Sequence, residues 1–282
     1  MAKKSDYPVV RSGRINLSGP STSTEAEINI ERFLSKTNRR LYRQARNYRV
    51  KLDIDTDATH GYEVYALADN WMNARAMKMA YAMYLENSED ERARIKGTNI
   101  ARWQDFRVMS GSGLQKYDPA QYDDHFNLEV LSAGEFNDTI VVDAQNVTRY
   151  FTWGTGSTTT YGILSEYDKA GNASASPQTG TGDMPYDDLM ADDDAAMASS
   201  LQTRGNAPPY DQNGVLDGKQ WVLIGVLNAS TTAQKLSTGF FDAPCGFVLI
   251  NPRGAPSVDV SKLTWTVQSG DYKGVHAPSM LE

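Results

Sequence analysis

From Tyr48 the chain adopts a period of two, and that alternation constrains its fold more than any other feature. Tyr48, Val50, Leu52 and Ile54 alternate with Arg49, Lys51, Asp53 and Asp55, which predicts a half-buried strand with one polar face. Tyr62, Val64 and Ala66 make a second short strand after a turn at 57–61. Beyond Gly97 the chain reads as β throughout, with candidate strands at 103–109, 126–131, 139–143, 149–153 and 161–166. A polar interruption at 168–218, rich in Gly, Ser, Thr, Ala, Pro and Asp, separates these from strands at 220–228, 238–242, 245–251 and 263–268. Short strands with no βαβ alternation exclude a doubly wound parallel sheet. They predict an all-β fold with minor helices, an antiparallel β-sandwich or jelly roll. There is no internal repeat.

Helical signals are few. Thr24-Glu25-Ala26-Glu27 matches a capping box, followed by apolar residues Ile30, Phe33, Leu34 and Leu41 at helical spacing. Asp69 stands as the cap of a second helix at 70–86, whose Trp71, Met72, Ala76, Met77, Ala80, Met83 and Tyr84 predict a largely buried element. Ser88-Glu89-Asp90-Glu91 opens a short charged helix that ends near Gly97.

Charge divides the chain in two. Up to Lys51, twelve Lys and Arg oppose four acids, a net of +8; the whole chain carries −7, so the remaining 231 residues carry −15. The division predicts a basic N-terminal arm with short helices (1–47) ahead of an acidic, strand-built domain (48–282) that carries the polar surface insertion at 168–218. A basic part ahead of an acidic body reads as one part that meets a polyanion and one that meets water or other copies of itself. The plain alternative is a solvated basic helix that balances charge within the fold. Among the nearby aromatic residues, Phe33 reads as helix packing, whereas Tyr42, within Arg39-Arg40-Leu41-Tyr42-Arg43, is the better candidate to stack on a single-stranded base.

Signals for catalysis are weak. His60, His125 and His276 are scattered without metal-ligand spacing, which argues against zinc. Gly154-Thr155-Gly156-Ser157 and Gly180-Thr181-Gly182 lack the Lys-Ser/Thr of a phosphate loop, and no Gly-x-Ser-x-Gly elbow occurs. Asp53, Asp55 and Asp57 begin like a calcium loop, but its glycine position is Ala58 and its twelfth position Val64. Asp53 and Asp55 are instead expected on one strand face, pairing with Lys51 or Arg49, with calcium at a subunit contact as the lesser option. Asp187, Asp188, Asp192, Asp193 and Asp194 read as a solvated acidic loop, with a divalent-cation site the minority reading. No cofactor and no enzymatic activity are expected. The one cysteine, Cys245, precludes an intrachain disulfide, fits a reducing compartment, and lies in an apolar run that reads as a buried structural thiol. No apolar stretch approaches a membrane span, and the N-terminus lacks the apolar core of a secretory signal.

Three phrases, Ala68-Asp69-Asn70-Trp71-Met72, Tyr84-Leu85-Glu86-Asn87-Ser88 and Ala101-Arg102-Trp103-Gln104-Asp105-Phe106-Arg107-Val108, join the basic arm, the early helical excursion and the run of strands. Together these features resemble viral single jelly-roll capsid proteins, especially those of small circular single-stranded DNA viruses. The resemblance implies a structural subunit that self-assembles into an icosahedral shell, a virion component made in the host cytoplasm or nucleus. Its partners would be other copies of itself and genomic nucleic acid bound without sequence preference, with no membrane. It also implies that Lys3, Lys4, Arg11, Arg14, Arg39, Arg40, Arg43 and Arg46 contact genome phosphates. The chain departs from that family in the acids Glu25, Glu27 and Glu31, which dilute the arm and point toward helical contacts between subunits. The alternatives are a lectin-like or phage tail or fibre binding module and, further off, a β-sandwich carbohydrate hydrolase with two convergent carboxylates.

Overall fold

The computed structural model describes residues 8–16, 26–55, 61–95, 105–111, 115–116, 138–142, 146–153, 156–167, 220–228, 235–253 and 262–282. Lys3, Lys4, Thr24, Glu25, the expected strand at 126–131 and the insertion at 168–218 lie outside the described residues. In chain order the elements are β1 (Ser12–Asn16), β2 (Ala26–Asn29), α1 (Ile30–Asn38), β3 (Asn47–Asp55), β4 (Gly61–Leu67), α2 (Trp71–Asn87) and α3 (Glu89–Ile95). Then come β5 (Gln115–Lys116), β6 (Ile140–Val142), β7 (Thr148–Thr152), β8 (Thr160–Gly162), β9 (Trp221–Asn228), β10 (Lys235–Pro244), β11 (Phe247–Arg253) and β12 (Lys262–Val267). The fold is predominantly β and its sheets are antiparallel, apart from the short parallel pairs β2–β5 and β7–β8.

The first sheet has the order β1-β12-β3-β10 and the second β5-β2-β11-β4-β9. Four antiparallel pairs nest inside one another: β1 with β12, β2 with β11, β3 with β10, and β4 with β9. That is the pairing of one long hairpin. The contacts β3–β12 and β4–β11 then close each sheet.

Side-chain alternation explains how the sheets meet. Tyr48, Val50, Leu52 and Ile54 of β3 are buried, and the polar residues between them are only half-buried. Leu263, Trp265 and Val267 repeat the pattern on β12. These face Ile28 of β2, Val64 and Ala66 of β4, and Val248 and Ile250 of β11 in one apolar core that also takes Phe33 and Leu34 of α1. Trp265 fills its middle, stacked on Phe33 at a centroid distance of 5.9 Å. The indole leaves no room for a side chain on the strand beside it: a Cβ on Gly13 of β1 would sit 2.7 Å from Trp265 Cζ2.

β11 is buried on both faces. Phe247 turns the opposite way from Val248 and joins a second cluster with Ala76, Met77 and Ala80 of α2, Phe106, Phe151, Trp153 and Ile163. The described residues between β4 and β9 thus pack on the outer side of the second sheet.

Several elements differ from the sequence reading. Of the expected helix start at 24–27, the described residues Ala26 and Glu27 belong to strand β2, and α1 begins at Ile30 after Asn29, whose side chain makes no cap bond. Pairing with β11 places Ile28 in the core and Glu27 on the other face, fully buried, where the Ser110 hydroxyl donates to its carboxylate. Asn70 rather than Asp69 caps α2, its side chain accepting the Asn73 N–H at 2.8 Å. α2 is not largely buried: only Asn73, Ala76, Met77 and Ala80 are, because the helix lies on the outside of a sheet and presents one narrow stripe. The described part of the expected strand at 103–109, residues 105–109, contributes one isolated bridge, Met109 to Thr152. The strand expected at 161–166 is β8 followed by a helical turn at 163–167. Over its described part the basic segment is no free arm: β1 and β2 are strands of the two sheets and α1 packs in the core.

Truncating Phe33 removes the partner of Trp265. Phe33→Ala should cost about 3–5 kcal/mol in urea unfolding, whereas Met83→Ala, at a side chain 45 % exposed, should change stability by no more than about 0.5 kcal/mol.

Candidate nucleic-acid interface

The α1–β3 connection carries four arginines, and buried polar contacts decide which way they face. Arg39 ends α1 in the left-handed region, at φ 48°. Tyr42 then turns inward: its N–H donates to Ser35 Oγ at 2.8 Å, its ring is buried, and its hydroxyl donates to the Lys273 carbonyl at 3.0 Å. Gln44 also turns inward, its amide bridging Val108 through Nε2 to the carbonyl at 3.0 Å and Oε1 from the N–H at 2.6 Å. The residue between them, Arg43, is thereby turned out, and Arg39 and Arg40 are exposed as well. Its backbone is held from both sides: its carbonyl accepts from Tyr48 Oη and its N–H donates to Tyr272 Oη at 3.1 Å.

A tight hairpin near the C-terminus adds a cation that the sequence reading missed. Tyr272 and Val275 bridge across Lys273 and Gly274, both at positive φ, 50° and 89°, as a type I′ turn requires. The turn places Lys273 over the connection, where its ammonium donates to the Leu41 carbonyl. The Arg46 guanidinium lies 3.5 Å from the Tyr272 ring centroid and donates to the Ala277 carbonyl at 2.7 Å. Burial lowers the Lys273 pKa, and the charges of Arg40, Arg43 and Arg46 lower it further; Asp105 opposes them. Four cations therefore share one small region with a single acid among the groups that act on Lys273. Like charges this close repel unless an anion joins them. The local sequence Tyr272-Lys273-Gly274 held the only advance sign of this hairpin, a residue tolerant of positive φ at a turn position.

Of the residues expected to contact phosphate, Arg39, Arg40, Arg43 and Arg46 come together on this connection. Arg11 joins them through backbone contacts, because Val10 exchanges two 2.9 Å hydrogen bonds with the Asn38 side chain, next to Arg39. Arg14 does not join them. Three residues further along an extended strand, about 10 Å from Arg11, it borders a hollow on the outer face of the first sheet with Asp53, Asp55 and Lys235. The expectation that Tyr42 stacks on a base is overturned, since its ring is fully buried against the hairpin. A short loop that must close over the core uses its aromatic residue as a plug.

Beneath the cluster lies a set of buried charges. Glu31 of α1 is fully buried; Arg32 Nε is 3.8 Å from it, and neither carboxylate oxygen accepts a hydrogen bond. Gly246 makes room: it sits at φ +70°, and a Cβ there would be 2.8 Å from Glu31 Oε2. Asp105 accepts the Gln44 N–H at 2.9 Å and lies 3.9 Å from Arg107. Burial pushes the Glu31 pKa from 4.5 up to about 7, against the opposing pull of Arg107 and Arg32. A carboxyl with a raised folded-state pKa favours folding below its unfolded pKa, and that contribution is lost as pH rises through the folded value. Glu31 should thus make the chain less stable at pH 8 than at pH 5 by about 3 kcal/mol. Glu31→Gln should flatten that slope and raise stability at pH 8, as denaturant unfolding across this range will show.

Asp53 and Asp55 do share one strand face, and Asp53 pairs with Lys51 at 3.0 Å. Cys245 is buried, its thiol 3.8 Å from Met280 Sδ. Among the described residues no group of three or more His, Cys, Asp or Glu is placed to hold a metal ion, and no helix is long and apolar enough to cross a membrane. A hollow of about 290 Å³ between α2 and β6–β8 is lined mainly by Met79, Met83, Val142, Phe151 and Tyr161, with Glu166 its one described carboxylate. Comparison with protein-family models, curated proteins and solved structures finds no match to this chain.

Proposed function

We propose that this chain is a structural subunit that assembles with copies of itself into a closed shell around nucleic acid, as a virion component, with a single jelly roll as the wall. Nested pairing of strands across two sheets with one shared core is the arrangement expected of a jelly roll. Architecture alone does not decide function, because jelly rolls also serve lectins and enzymes. The observation that carries the reading is the cationic cluster of Arg40, Arg43, Arg46 and Lys273 at one end of the sheets, on a body that carries −15 beyond residue 51. Such a body turns its cluster toward a polyanion and its acids away from it. The arginines and Lys273 bind phosphates as a group, releasing counterions, so affinity falls as salt rises and base sequence matters little. Lys3 and Lys4 would extend the contact by their place in the sequence. The role is structural rather than enzymatic.

A second reading, a lectin-like or tail-fibre binding module, draws on the apolar hollow between α2 and β6–β8. It requires a small oligomer and no use for the cationic cluster.

Negative-stain microscopy and sedimentation of the full chain separate the two. The shell reading expects large closed particles that absorb strongly at 260 nm, and a combined Arg40→Ala, Arg43→Ala, Lys273→Ala variant that assembles with less nucleic acid. A monomer or small oligomer at every pH and salt concentration would overturn it.

A further inference from the structure

We infer that β9 pairs edge to edge with β9 of a second copy, antiparallel across a two-fold axis, and so joins two five-stranded sheets into one. This pairing deepens the self-assembling reading, on which it rests for the presence of further copies, by naming the surface through which two of them meet.

An edge strand leaves a row of backbone N–H and C=O groups open to any extended chain, and folded proteins guard such rows with charge, proline, bulges or short length. Three of the four edges of the two large sheets are guarded in this way. β1 carries the exposed Arg14, β5 is two residues long, and β10 carries Lys235 and Asp242 with a break in register between Ser237 and Phe240. The fourth edge, β9, is eight residues with no ionisable side chain and no proline. Among the described residues it pairs with β4 alone. Its Val222, Leu223 and Val226 are 46, 47 and 37 % exposed, so one open edge carries three aliphatic side chains into water.

The register of β9 suits its own sequence as the partner. Ile224 is an extra residue against β4, between the pairs Leu223 with Tyr65 and Gly225 with Val64. This bulge puts Leu223 and Val226 on the same, outer face beside Tyr65 and Glu63, while Val222 and Leu227 lie beside Ala66 and Tyr62 of the core. With a two-fold axis between Ile224 and Gly225, Leu223 of one copy stands opposite Val226 of the other, and Val222 opposite Leu227. Aliphatic then meets aliphatic on both faces, and Gly225, where a Cβ would have nothing within 4 Å, leaves space opposite Ile224. Charge commonly selects a foreign partner, and β9 offers none; pairing with its own sequence needs none. Each copy carries −7, so two copies repel over most of their surface, and an uncharged strand is where approach costs least. Glu63, the acid beside the junction, stays one strand back. The two Glu63 residues are then at least roughly 14 Å apart, three interstrand spacings, beyond the screening length of about 8 Å in physiological salt.

Cysteine cross-linking of the full chain tests the register, since Cys245 is buried and does not compete. Leu223→Cys chains mixed with Val226→Cys chains should give a disulfide-linked dimer on mild oxidation, because directly opposed residues lie about 5 Å apart. Either variant alone should link about tenfold less, its like positions being about 10 Å apart along the strands. Leu223→Lys, with circular dichroism showing a native fold, should weaken association in sedimentation about tenfold or more. A mixture that links no better than either variant alone, or a folded Leu223→Lys chain that associates as the unchanged chain does, would overturn the pairing. Shells that still form in that event leave the shell reading standing, whereas linked dimers that never grow into closed particles overturn the shell reading and keep the pairing.

Discussion

Neither large sheet is complete until the last strands arrive from the far end of the chain. β12 lies between β1 and β3, and β11 between β2 and β4. Everything else depends on that insertion. Trp265, delivered by β12, stacks on Phe33 of α1 and lies against the backbone of β1 at Gly13. One side chain from near the C-terminus thereby ties two elements from the first forty residues. The cost is a loop-closure entropy spanning most of the chain, which non-local sheets meet slowly and only when the core is large enough to offset it. The benefit is a body whose middle is free to vary, since among the described residues the chain between β4 and β9 closes no strand pair of the first sheet.

The same closure builds the cationic end. Arg40, Arg43 and Arg46 lie on the connection from α1 to β3, while Lys273 arrives on the hairpin that follows β12. They share a region because Tyr42 and Tyr272 meet edge to face at 6.0 Å and Arg46 covers Tyr272. Below them, the Glu31, Asp105 and Arg107 side chains are withdrawn from water. Burying charge costs more than an apolar contact would, and Glu31 meets that cost by a pKa moved toward neutrality.

Much of the β framework was legible because period-two alternation is a local signal. β3, β4, β9, β11 and β12 fall within a few residues of where alternation and turn residues put them. Errors arose where two local signals competed. Thr24 to Glu27 read as a capping box, yet Ala26–Asn29 also alternate across a sheet, and β11, more than two hundred residues away, decided for the strand there. α2 looked apolar nearly all round, yet it lies on an outer face where only one stripe meets Phe247 and its neighbours.

Alternation, charge asymmetry and the lack of βαβ spacing were sufficient for a predominantly β, antiparallel fold and for the existence of a basic region, because each is a property of neighbouring residues. Which cations stand together was a tertiary decision. Arg14, expected with the others, lies beside Asp53 and Asp55, and Lys273, far from the basic segment in sequence, stands among its arginines. Tyr42 was lost to the core and Trp71 was left to solvent for the same reason. A side chain's exposure depends on what the rest of the chain brings against it, and no local pattern encodes that partner.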